Sequence, residues 1–166
     1  MERIYIFVQG VFLNKNKAIK SIYLTMLIIY LSILYKWRSC ISIKYAYNIL
    51  NSDIFTLSGV LAGFLFTGIG LIYTSNNKMI SDLRLTNNFK LVNKIYAFSI
   101  LNYVIVALIY LFKPLLVFDI ASLDRVGTVY AKFIFIFLVT GIYLFWVANV
   151  MFLIALFILF NVLKSK

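Results

Sequence analysis

"FIFIFLVTGIYLFWVANVMFLIALFILFNVL", Phe133 to Leu163, passes through 31 positions without a single charge. A helix crosses the roughly 30 Å hydrocarbon core of a bilayer with about 20 apolar residues. This stretch would reach about 46 Å at 1.5 Å per residue. Gly141 stands alone as a turn former, so the stretch reads as one helix and not as a hairpin. A span over about 133–160 then tilts, or continues past the headgroups to pack on something else.

The rest of the chain agrees. It has 166 residues, 64% of them hydrophobic and 13% charged, with a mean hydropathy of +1.00. Soluble domains carry about a quarter charged residues, so most of this chain is not built to face water. Further spans are predicted over 18–35, 54–74 and 95–112, the last stopped by Lys113 and Pro114. The stretch "IYIFVQGVFL", 4–13, is too short to cross and reads as an interfacial helix. The expected fold is an all-α integral membrane protein. It is a four-helix transmembrane bundle with interfacial amphipathic helices, forming one membrane domain over 1–166.

The segment 76–94 is more than a tether. Met79, Ile80 and Leu83 form one apolar face, and Phe89, Val92 and Ile95 form another. Lys78, Arg84, Lys90 and Lys94 point elsewhere. This pattern fits an amphipathic helix on the lipid surface, and equally a docking face for a cytoplasmic partner protein. With four spans, the side holding both termini and this segment carries ten basic residues. They are Arg3, Lys15, Lys17, Lys20, Lys78, Arg84, Lys90, Lys94, Lys164 and Lys166. The other side carries six: Lys36, Arg38, Lys44, Lys113, Arg125 and Lys132. The excess of Lys and Arg predicts cytoplasmic N- and C-termini. The overall charge of +11 comes from residues between the apolar runs. Anionic lipid headgroups would meet them there, and no direct nucleic-acid binding is expected.

The chain offers little for chemistry. It has no His and one cysteine, Cys40, which excludes His-based acid–base catalysis, zinc clusters and an intrachain disulfide. The acids Glu2, Asp53, Asp82, Asp119 and Asp124 lie near span ends or in loops, without metal-ligand spacing. The predicted spans hold no ionisable acid or base of the kind that coupled carriers keep at mid-membrane. No catalytic, cofactor or metal site is expected, and an enzyme is not. No small-x-small cleavage site follows the first apolar segment.

What the spans do contain is a stripe. Thr56, Gly59, Gly63, Thr67, Gly70 and Thr74, with Ser52 and Asn77 at its ends, fall within about 80° of one helix face at 100° per residue. No large residue interrupts them. Gly141, Ala148 and Ala155 form a second, sparser seam. The stripe has two readings. Small residues let helix backbones approach where lipid supplies no hydrophobic drive, within a monomer or between subunits of a homo-oligomer. Alternatively, glycine backbones and threonine hydroxyls line an uncharged, wettable pore. Asn102 and Asn149 are the amides deepest in the spans and read as interhelical hydrogen-bond formers.

The stretch "SGVLAGFLFTGIGLIYTSNNKMI" resembles small four-span bacterial membrane proteins. In these a Gly-rich second helix enters an Asn/Lys-rich cytoplasmic helix, and some look like membrane effectors or sensors of anti-phage defence systems. The similarity covers Ser58 to Lys94 and carries a packing pattern, so it transfers no functional residue. It implies a multi-pass protein of a bacterial inner membrane, as does a composition suited to an AT-rich genome. The expected function is an oligomeric, non-enzymatic component that perturbs or permeabilises that membrane. The alternatives are a scaffold that recruits a cytoplasmic partner, or a holin-like channel, although "LKSK" is a weakly charged tail for the latter.

Overall fold

The computed structural model describes residues 15–36, 42–76, 78–85, 87–116 and 129–164. The interfacial helix expected over 4–13, Cys40, Asn77 and the loop 118–128 lie outside the described residues. In chain order the helices are α1 (Lys15–Lys36), α2 (Ile43–Ile49), α3 (Ser52–Thr74), α4 (Lys78–Leu85), α5 (Asn87–Leu116) and α6 (Val129–Lys164). Among the described residues there is no strand. Four helices are long and apolar enough to cross a membrane, over Ile19–Lys36, Ser52–Thr74, Val92–Leu116 and Val129–Phe157.

Local chemistry sets several of the ends. Asn51 caps α3: its side-chain oxygen accepts from the Asp53 and Ile54 amides, at 3.1 Å each. Asp53 adds a negative charge to the first turn, where the helix dipole favours it. Ser42 caps α2 by accepting from the Tyr45 amide at 3.1 Å. The charge-free stretch is a single helix, and α6 at 36 residues is about 54 Å long.

Two expectations need correction. The third apolar helix does not stop at Phe112. It runs through Lys113 and Pro114 to Leu116, with the proline in its last turns. A proline there removes one backbone bond. The Tyr130 hydroxyl compensates the helix end by donating to the Leu116 carbonyl at 2.5 Å. The segment 76–94, second, is not one surface helix. It is divided between α4 and the first turns of α5, and three of its apolar residues turn inward. Ile80, Val92 and Ile95 are buried in the same cluster as Leu65, Ile72 and Tyr96. The protein's own apolar surface takes the place that lipid was expected to fill.

The core is built on α5 against α6, the most extensive helix pair, with α3 laid chiefly on α5 and α1 chiefly on α6. Two clusters divide the length of that pair. One gathers Val92 to Tyr103 of α5 with Val147 to Ala155 of α6 and with Ile19, Leu65 and Ile72. The other gathers Val106 and Ile109 with Ala131, Ile134 and Leu138, and is closed by Ile43, Ala46 and Leu50 from α2 and the residue after it. The order of contacts along the two helices makes them antiparallel.

Glycine matters at two close approaches. A Cβ on Gly141 would stand 3.0 Å from Ile109 Cγ2 and 3.1 Å from Leu50 Cδ1. A Cβ on Gly68 would meet the Tyr96 ring at 3.2 Å. Gly141, Ala148 and Ala155 are all buried, so the sparse seam of α6 is a packing seam. Leucine at Gly141 should therefore overpack the α5–α6 contact and cost about 1–3 kcal/mol. A clear fall in melting temperature in detergent is expected for Gly141→Leu. Gly63→Leu, where an added Cβ meets nothing within 4 Å, should leave the melting of the isolated chain nearly unchanged.

Candidate functional site

The stripe on α3 faces away from the other helices. Thr56, Gly59, Gly63, Thr67 and Thr74 are exposed, and Gly70 is half-buried. Cβ atoms added to Gly59, Gly63 and Gly70 would meet no neighbour. Among the described residues, none packs against these glycines. The opposite face of α3 is the packed one, through Ser58, Leu65 and Ile72. Wheel geometry puts Val60, Phe64 and Leu71 on one flank of the stripe and Phe66 and Tyr73 on the other. All five are exposed. The stripe is therefore the floor of an open groove between two ridges of large side chains.

Its hydroxyls are turned onto their own helix. Thr67 Oγ1 donates to the Gly63 carbonyl at 3.0 Å, and Thr74 Oγ1 donates to the Gly70 carbonyl at 2.9 Å. Each hydroxyl proton is thereby used, and the oxygen remains free to accept. The groove floor presents short, uncharged acceptors and bare backbone.

A second polar feature lies between helices. The Tyr23 hydroxyl of α1 donates to Asn102 Oδ1 of α5 at 3.0 Å and accepts from its Nδ2 at 2.7 Å. The Tyr143 hydroxyl of α6 donates to the Tyr23 carbonyl at 2.9 Å, and the Tyr30 hydroxyl to the Val139 carbonyl at 2.9 Å. The Tyr103 hydroxyl reaches Asn149 Oδ1 at 3.3 Å, while Asn149 Nδ2 donates to the Phe145 carbonyl of its own helix at 2.7 Å. Ser99, fully buried, donates to the Ala148 carbonyl at 3.0 Å. The two amides do join helices, and their partners are tyrosines. Sequence reading singles out none of those tyrosines. The available signal was depth, since Tyr103 and Tyr143 lie well inside apolar runs and away from the ends where interfacial tyrosines gather.

Lys113 was read as a stop signal, and the structure gives it a different task. It is 6% exposed. Its Nζ donates to the carbonyls of Tyr47 at 3.0 Å and Leu50 at 2.5 Å, and lies 3.8 Å from the centre of the Tyr47 ring. Tyr110, itself stacked on Phe55 at 5.0 Å, stands 5.2 Å away on the other side. The ammonium thus caps the C-terminal carbonyls of α2, where the helix dipole favours a cation, and an aromatic face covers it.

The basic residues expected at a lipid or partner surface divide. Lys90 and Lys94 are exposed on α5, and Lys78 begins α4. Arg84 is half-buried and donates to the Ser75 carbonyl, so it braces α4 against the end of α3. Asn93 beside them donates to the Tyr73 hydroxyl at 2.9 Å. Among the described residues no three His, Cys, Asp or Glu side chains come together in a way that could hold a metal ion.

Compared with known proteins, the chain matches no protein family, no curated protein and no solved structure.

Two outcomes follow from the polar contacts. Lys113→Met removes both charge-assisted bonds to α2, each of a kind worth about 1.5–3 kcal/mol. Amide hydrogen exchange over residues 43–50 should then speed up about tenfold or more, with α3 unchanged. For Tyr23→Phe and Asn102→Leu, a double-mutant cycle read by unfolding in detergent should return a coupling of about 0.6 kcal/mol, the average for bonds between membrane helices.

Proposed function

We propose that this protein is a multi-pass component of a bacterial inner membrane. Its four long helices form a transmembrane bundle with both termini in the cytoplasm, and copies assemble through the open groove of α3. The assembled protein perturbs or permeabilises the membrane without catalysing a reaction, as the effector or sensor part of a defence system. The observation that carries this reading is the stripe itself. Its glycines have open space where a Cβ would go, although the rest of the protein fills such space with large side chains. In a bilayer, a groove floored by glycine and threonine between Val60, Phe64 and Leu71 on one flank and Phe66 and Tyr73 on the other fits a second helix at close range.

The exposed charges agree with anionic lipid headgroups as surroundings. Ile19 and Val92 share a cluster, so the start of α1 and the start of α5 lie at one end, with exposed Lys20, Lys90 and Lys94. Basic side chains gathered at one end of a membrane domain favour the leaflet rich in anionic lipid. A scaffold that recruits a cytoplasmic protein is the second reading. It is favoured by the inward turn of Ile80, Val92 and Ile95, which leaves Lys90 and Lys94 on a built surface.

Dye release from liposomes, paired with cross-linking of the reconstituted protein, tests the proposal. The unmodified chain should form oligomers and release dye. Gly63→Leu, which fills the groove, should reduce both at least several-fold. Thr67→Val keeps the shape and loses the hydroxyl; oligomers should persist, and release should fall only where the stripe is wet. Monomeric protein at high density in the bilayer, or oligomers that never leak, would sink the permeabilising reading in favour of the scaffold.

A further inference from the structure

The four long helices are not held equally. Of the spans, 44% of Val92–Leu116 and 39% of Val129–Phe157 is buried, but only 11% of Ser52–Thr74 and 6% of Ile19–Lys36. Helix α3 buries Ser58, Leu65 and Ile72 and packs chiefly on α5. Among the described side chains of α1 one apolar residue, Ile19, is buried at its beginning, with Ile22, Tyr23 and Met26 beside it. Beyond Met26 its large side chains, Leu27, Ile28, Ile29, Leu31 and Ile33, are exposed.

Beside this apolar contact and the edge of the Tyr23 ring against Phe98, a set of tyrosine hydroxyl bonds joins α1 to α5 and α6. Tyr23 pairs with Asn102, Tyr143 donates to the Tyr23 carbonyl, and Tyr30 donates to the Val139 carbonyl. The rings of Tyr30 and Tyr143 lie against each other with centroids 5.5 Å apart. We propose that α1 is the movable helix of this protein, and that its separation from α5 and α6 opens a hydrated seam lined by Tyr23, Tyr30, Asn102 and Tyr143. The proposal rests on the membrane reading above and gives it a gate.

The physical coupling is direct. Asn102 is 3% exposed, and its carboxamide is satisfied by Tyr23. Hydrocarbon offers no replacement partner, and an unpaired polar group there is costly. When α1 withdraws, Asn102 and the hydroxyls of Tyr143 and Tyr30 need water. Movement of α1 and wetting of the seam are therefore one event. The apolar contact to be broken is small, so the hydroxyl bonds set how often it happens. Removing two bonds of average strength between membrane helices raises the separated population about eightfold.

The test uses the full chain in liposomes, in a Cys40→Ser background. Spin labels at Thr25 of α1 and Thr140 of α6, both exposed, report the α1–α6 distance. Labels at Phe66 of α3 and Leu108 of α5, also exposed, serve as the control pair. With Tyr23→Phe and Tyr30→Phe together, the longer α1–α6 distance should gain about eightfold in population, while the control pair keeps its distance. A second form, Tyr30→Cys with Tyr143→Cys joined by a short bismaleimide, should still form oligomers and should lose most of its dye release. An unchanged α1–α6 distance in the double phenylalanine variant would overturn the proposal, and so would full dye release from the cross-linked form. If no form leaks, including the unmodified one, the permeabilising reading fails, and the distance measurement alone decides whether α1 moves.

Discussion

The antiparallel contact of α5 with α6 is what the other helices depend on. It is possible because α6 carries Gly141, Ala148 and Ala155 along one line, all buried. The approach is close enough for the Ser99 hydroxyl to reach the Ala148 carbonyl at 3.0 Å. Between helices in a bilayer, such proximity takes the place of the hydrophobic drive that water supplies to a soluble core. Once the two helices meet, Tyr96 and Tyr103 are enclosed, α3 finds a surface at Tyr96, and α2 closes the far end on Ala131, Ile134 and Leu138. Close packing is thus concentrated in one pair, and the remaining elements are added to its sides.

Polar groups then determine how firmly each addition is held. Lys113 fastens α2 by two carbonyls and two aromatic faces, which satisfies a cation that would otherwise be expensive to enclose. Helix α1 is attached through hydroxyl bonds across an otherwise thin contact. Helix α3 is attached by apolar side chains and turns its small residues outward. The protein thereby has a well-enclosed pair, α5 and α6, and two largely exposed long helices, α3 with its open groove and α1.

The helical class was legible in the apolar run lengths, and Phe133 to Leu163 is indeed one helix. The small residues of α3 and of α6 were both visible as spacing. Spacing alone did not tell which faced a neighbour. Gly141 is filled against Ile109 and Leu50, whereas Gly59, Gly63 and Gly70 stand in open space. A glycine looks the same in sequence whether a backbone approaches it or nothing does. The end of α5 was misplaced for a related reason. Lysine followed by proline reads locally as a helix stop, but the carbonyls that receive Lys113 belong to residues 47 and 50, more than sixty positions earlier.

The sequence by itself determined that the chain is helical and that four helices are long and apolar enough to cross a bilayer. Those properties follow from run length, charge and residue type, which are local. Only the tertiary structure decided that the stripe of α3 lies open and that tyrosines serve the amides of Asn102 and Asn149. It also decided that Ile80, Val92 and Ile95 face protein and that α1 is the least enclosed long helix. These are relations between surfaces distant in the chain, and they exist only once α5 and α6 have come together.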